Sequence, residues 1–171
     1  KPWIIYHKDL NGGTNPNQYY LQFDTDGEAT ISPYADAPTA THFNIAASES
    51  WTNDTDDDYI TMLFASANDA DGNPISKVGS YTGTGISGDN TVTLGFQPRF
   101  VIIKNTSRSS TSWVVLDTLR GWASGNDKSL ELNTNDAQET YEYADPTSTG
   151  FTLMETGNWT NRSGDHYIYY A

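Results

Sequence analysis

One stretch of this chain is written twice, and a fold must seat both copies in equivalent places. Pro38-Thr39-Ala40-Thr41-His42-Phe43 recurs as Pro146-Thr147-Ser148-Thr149-Gly150-Phe151, Trp51-Thr52-Asn53 as Trp159-Thr160-Asn161, and Tyr59-Ile60 as Tyr167-Ile168, always 108 residues on. Ten of the 23 aligned positions from Pro38 to Ile60 are identical, without a gap. Upstream the correspondence continues with small changes of length: Trp3-Ile4-Ile5-Tyr6-His7 sits like Trp113-Val114-Val115-Leu116-Asp117, and Leu21-Gln22-Phe23-Asp24 like Leu130-Glu131-Leu132-Asn133. The expectation is two related units from an internal duplication: residues 1–65, a connection at 66–75, and a second, complete unit at 76–171. The second unit opens with about 35 residues, Lys77 to Lys104 among them, that have no counterpart in the first. The first unit is therefore expected to be N-terminally incomplete, either cut from a longer polypeptide or completed by another segment.

Strand-like runs fall at 3–7, 19–23, 43–47, 59–65, 76–81, 91–94, 100–104, 112–116, 129–132, 151–154 and 167–170. Turn clusters such as Asp24-Thr25-Asp26-Gly27 separate most of them at the spacing of a sandwich or barrel. Residues 59–65 are apolar almost throughout, which predicts an interior strand. The nearest approach to helical spacing is Asp136 to Tyr143, enough for a single turn. The fold class read from this is all-β, an antiparallel, jelly-roll-like sandwich.

Charge narrows the partners. Twenty-two Asp and Glu against nine Lys and Arg give a formal −13 and a pI near 4.2, a balance that repels phosphate backbones and anionic lipid. Nucleic-acid binding and membrane insertion are not expected. There is no Cys, so thiolate chemistry and disulfides are excluded.

Catalytic patterns are poor. No G-x-S-x-G elbow or H-E-x-x-H cluster is present. His7, His42 and His166 lie far apart, and His42 and His166 align with Gly150 and Asp58, so neither position demands an imidazole. Glu139 and Glu142 are a weak version of the paired carboxylates of a glycan-cleaving enzyme. Calcium is the cofactor the loops would suit: Asp24 with Asp26, and Asp69 with Asp71, place oxygen donors at alternating positions beside a Gly. Against this, Asp24-Thr25-Asp26 becomes Asn133-Thr134-Asn135 in the other copy, which keeps the turn without the charge. An Asx-rich turn is the simpler reading. Sugar contact would use aromatic platforms, for which Trp51, Trp159 and Trp122 are the candidates. Trp51 and Trp159 are equally well explained by packing; Trp122 is the ring expected nearest a surface. Asp117 and Arg120 suggest a local salt bridge.

Gly79-Ser80-Tyr81-Thr82-Gly83, Gly95-Phe96-Gln97-Pro98-Arg99-Phe100-Val101-Ile102-Ile103-Lys104, Trp113 with Asp117-Thr118-Leu119-Arg120-Gly121, and Asn161-Arg162-Ser163-Gly164-Asp165-His166-Tyr167-Ile168 resemble a β-rich repeat domain of tail-fibre and other structural proteins of marine bacteriophages. The resemblance implies a non-enzymatic virion protein at the particle surface, homo-oligomeric or bound to other virion proteins, and contacting host surface glycans. A secreted carbohydrate-binding module is the alternative.

Overall fold

The computed structural model describes residues 1–31, 36–45 and 50–171. Among these residues fourteen strands run in chain order: β1 (Ile4–Ile5), β2 (Tyr19–Gln22), β3 (Thr30–Ile31), β4 (Ala67–Asn68), β5 (Pro74–Ser76), β6 (Val78–Thr82), β7 (Asn90–Thr93), β8 (Phe100–Asn105), β9 (Val114–Asp117), β10 (Asp127–Glu131), β11 (Glu139–Tyr141), β12 (Ala144–Thr147), β13 (Gly150–Leu153) and β14 (His166–Tyr170). No α-helix forms among the described residues; short 3-10 turns at Leu10–Gly13 and Pro16–Gln18 link β1 to β2.

The centre is a six-stranded antiparallel sheet ordered β11-β10-β9-β8-β14-β6. Alternation along its strands sends Val101, Ile103, Val114, Leu116, Tyr167 and Tyr169 to one face, where they meet Val92, Phe151 and Leu153 of the three-stranded sheet β12-β13-β7. Two sheets thus close over one core, the sandwich expected from the spacing of the strands. Edge-on contacts of Phe151 with Tyr169 and Trp122 lock it, at centroid distances of 5.8 and 6.3 Å.

The opposite face is also covered. Trp113, Ile168 and Ile102 pack against Leu10, Leu21, Ile5, Tyr19 and Phe23, so the N-terminal sheet β1-β2-β3 lies across the back of the sandwich. That small sheet repeats a corner of the large one. Ile4 pairs with Gln22 and Ile5 with Leu21, as Val114 pairs with Glu131 and Val115 with Leu130. Tyr19 pairs with Ile31 and Tyr20 with Thr30, as Lys128 pairs with Thr140 and Ser129 with Glu139. Single bonds follow suit: Phe23 N donates to Trp3 O at 2.9 Å, and Leu132 N to Trp113 O at 3.1 Å. Trp3 N donates to Asp24 Oδ1 at 3.2 Å, and Trp113 N to Asn133 Oδ1 at 2.8 Å. The turn needs an acceptor at that position, and Asn supplies one as well as Asp does.

Three expectations need correcting. Residues 59–65 form no strand and stand exposed: a ladder needs partner strands, and among the described residues none pairs with them. Phe43 to Ile45 is likewise not a strand, while Ala46 and Ala47 lie outside the described residues. The window Asp136 to Tyr143 holds an edge strand, β11, rather than a helical turn, because β10 offers it a ladder. The 66–75 connection contributes to a hairpin, β4 paired with β5.

Candidate functional site

The motif Trp159-Thr160-Asn161-Arg162 builds one end of the sandwich, with Thr160 and Asn161 fully buried and Arg162 exposed, its Nη1 donating to Asn158 Oδ1 at 2.8 Å. Asn161 is fully buried; its Oδ1 accepts from Thr84 N at 3.0 Å and Asn90 Nδ2 at 3.1 Å, and its Nδ2 donates to Ile86 O and Glu155 O. Glu155 Oε2 accepts from Thr160 N at 2.6 Å and Thr160 Oγ1 at 2.8 Å. Asp165 Oδ2 takes Arg108 Nε at 2.6 Å and Asn105 Nδ2 at 3.0 Å. Tyr81 stacks on Tyr167, centroids 5.0 Å apart, and donates to Thr160 O. Burial raises the Glu155 carboxyl above its ordinary value. Raised carboxyls often mark catalytic sites, but this one is spent on the loop that returns the chain into β14. The cluster is a framework.

At the other end of β8 and β14 the surface opens into a hollow of about 380 Å³ lined by Ile75, Phe96, Gln97, Arg99, Phe100 and Tyr170. Phe64 lies against Tyr170, ring centroids 4.9 Å apart, and widens the aromatic surface. Pro98 sits just ahead of β8, where a missing N–H costs no ladder bond, and it sets Gln97 and Arg99 at the rim. In this hollow, rings stand beside a guanidinium and an amide. The sequence signal was Gln97-Pro98-Arg99 at a strand entrance, too general to mark a site.

Trp122, expected near a surface, is only 2% exposed. Its indole fills the core beside Phe151, and Nε1 donates to Ala144 O at 2.6 Å, so the ring offers no platform. Trp159 is half-buried against the same core, 6.4 Å from Tyr143. Trp51 keeps an exposed face and meets Tyr20 edge-on at 6.3 Å. Of the three indoles, Trp51 leaves the most ring to solvent.

The Asp69 carboxylate is occupied by its own loop: Oδ1 accepts from Asp71 N and Asn73 N, both at 2.9 Å, and Gly72 turns with φ 87°. These bonds, Asn73 N first, lower its pKa from the ordinary value. Asp24 accepts from Trp3 N, and Asp26 presents its backbone carbonyl, not its carboxylate, to the Lys104 ammonium at 3.3 Å. Among the described residues no three His, Cys, Asp or Glu side chains gather as a metal site would require. Asp117 does not pair with Arg120: its Oδ1 accepts from Leu119 N at 2.7 Å and its backbone carbonyl from Arg120, Gly121 and Trp122 N, a tight capped turn. Glu139 and Glu142 are exposed on and just beyond the edge strand β11.

Buried charge was invisible in sequence. Lys104 is fully buried, with Nζ donating to Thr111 O at 2.5 Å and to Thr111 Oγ1, and burial lowers it to about 8. Asp127 is equally buried; its Oδ2 accepts from Tyr143 N and Ala144 N, and burial raises it to about 6. His7 is buried and pushed down to about 4 by desolvation.

What the fold and this site define is an all-β sandwich domain with a polar framework at one end and an open aromatic hollow at the other. The chain belongs to the family described as a domain of unknown function, DUF7483, whose model matches residues 1–171. No curated protein and no solved structure matches it. Among the described residues no helix is long and apolar enough to cross a membrane.

Proposed function

We propose that the protein is a non-enzymatic structural and adhesion module of a bacteriophage particle, held at the virion surface by contacts with copies of itself or with other virion proteins. One observation carries this reading. Of the sixteen exposed large apolar side chains among the described residues, eleven lie in residues 1–65, from Trp3 to Phe64. So much clustered apolar surface is characteristic of a chain that works inside an assembly. The polar groups at the Asn161 end support the same reading, since they serve the loops rather than a cleft. Sedimentation equilibrium at micromolar concentration tests it: oligomers indifferent to a calcium chelator are expected, and a strict monomer overturns it.

A second reading, glycan contact, is supported by the hollow between Ile75, Phe96, Arg99 and Tyr170. On a glycan array Arg99→Ala is expected to erase binding that Trp122→Phe leaves intact. Binding unchanged by Arg99→Ala places the contact elsewhere.

A further inference from the structure

The two stretches of the repeat use the same residues in opposite environments. Phe151, Tyr167 and Ile168 are 0, 0 and 4% exposed; Phe43, Tyr59 and Ile60, their aligned counterparts, are 42, 39 and 79% exposed. The turn that should deliver Tyr59 into a strand is nevertheless complete. Asp54 N donates to Tyr59 OH at 2.8 Å, as Arg162 N does to Tyr167 OH at 2.9 Å, and Asp56 and Gly164 share the left-handed conformation at φ 67° and 80°. A non-Gly residue is uncommon there, so the first turn reproduces the second even at a local cost. What residues 59–62 lack is a ladder.

In the second unit β14 pairs only with β6 and β8, and β8 in turn borders β9. The counterpart of β9 is β1, whose second edge pairs with no strand among the described residues. A β8-like strand laid along that edge would reach Tyr59–Met62 on its far side, and a β6-like strand would close the outer edge. Exposed strand edges of this kind are filled by strand addition.

Charge suits such a donor. Residues 1–65 carry ten carboxylates against Lys1 and Lys8, a formal −8, whereas residues 76–105 carry Lys77, Arg99 and Lys104 against Asp89, a formal +2. Asp57 marks one contact. Its counterpart Asp165 is buried under Arg108 Nε and Asn105 Nδ2, while Asp57 is exposed and meets only Lys1 among cationic side chains within salt-bridge reach. One residue restricts the geometry: a Cβ at Gly150 would overlap the Val92 carbonyl oxygen of β7, and His42 occupies that position in the first unit. A β7-like strand cannot approach as closely there, so the missing partners are those of β6 and β8.

We propose that the β1 edge and residues 59–62 accept two strands of the β6 and β8 pattern from another unit of this family. The proposal names the partner for the assembly reading above and rests on it, but their tests are separate: sedimentation of the unaltered chain decides the assembly, and the following decides the donor.

Residues 76–110 are copied ahead of Lys1, so that Ser110 meets Lys1 as it meets Thr111 in the second unit, and amide exchange is followed by mass spectrometry. In the unaltered chain residues 58–64 are expected to exchange at the rate of open chain; in the fusion, 4–7 and 59–62 are expected to slow at least about 100-fold. A control fusion carrying Val101→Asp and Ile103→Asp in the copied segment should restore fast exchange. Protection of the original β8 and β14 reports that the rest of the chain has folded. As a second measurement, the free 76–105 peptide is added to the unaltered chain and the same amides are read. Unchanged exchange in both formats, or equal slowing by the control, overturns the proposal.

Discussion

Asp127 gives the most direct test of how this sandwich handles buried charge. Its side chain is fully buried at the start of β10, with two backbone donors on Oδ2 and, among the described residues, no hydrogen-bond partner on Oδ1. Desolvation raises its carboxyl from the ordinary 3.8 to about 6; the N–H groups of Ala144 and Tyr143 oppose the rise, and the charges of Asp145 and Glu142 add to it. A carboxyl with a raised folded value favours the folded state below its unfolded value and loses that contribution as pH rises through the folded one. The window is therefore pH 3.8 to about 6. At about 1.4 kcal/mol per pH unit the interval is worth about 3 kcal/mol, and water reaching the sheet edge trims it to about 1.5–3 kcal/mol. Asp127→Asn keeps an acceptor for both N–H groups and removes the ionisation. Urea unfolding of the two proteins at pH 3.5 and pH 8 isolates the effect, because any pH-independent cost of the substitution cancels. Relative to wild type, the Asn protein should gain about 1.5–3 kcal/mol between the two pH values. A difference constant to within about 0.5 kcal/mol would show that the buried carboxylate bears no such penalty.

Two further substitutions probe the core. Trp122→Ala should lower stability by about 3–5 kcal/mol in urea, since it empties the space beside Phe151 and strips the donor from Ala144 O; wild-type stability with altered glycan binding would contradict the packing role. Gly150→Ala forces a methyl onto the Val92 carbonyl across the β13–β7 ladder and should cost about 1–3 kcal/mol, and an unchanged unfolding midpoint would mean that β7 can step aside.

The strands of the sandwich were legible because each carries its own pattern: Phe100–Asn105, Val114–Asp117 and His166–Tyr170 lie where apolar runs and turn residues put them. What was not legible depends on partners distant in sequence. Trp122 follows a polar turn and looks exposed, yet the turn at Asp117 folds back and drives the indole under Phe151. Lys104 reads as the wet end of a strand, but Thr111 and the Asp26 carbonyl arrive from two separate loops to satisfy it. The hollow at Phe96, Arg99 and Tyr170 is assembled from stretches some 70 residues apart, and no local pattern encodes that meeting.

The repeated segment makes the same point with composition nearly held constant. Tyr59-Ile60 and Tyr167-Ile168 share side chains, a preceding turn and a tyrosine hydroxyl accepting from the same backbone position, yet one pair is core and the other surface. Local propensity is therefore satisfied in both places and cannot be what makes a strand in one of them. The difference lies in β6 and β8, which supply the ladder and the apolar ceiling to β14. Burial of such side chains is worth about 1.5–3 kcal/mol each, a contribution that residues 59–62, exposed and without a ladder, do not receive. Tyr59 and Ile60 keep the side chains of Tyr167 and Ile168, and Asp56 keeps the left-handed turn of Gly164, in a stretch that stands exposed.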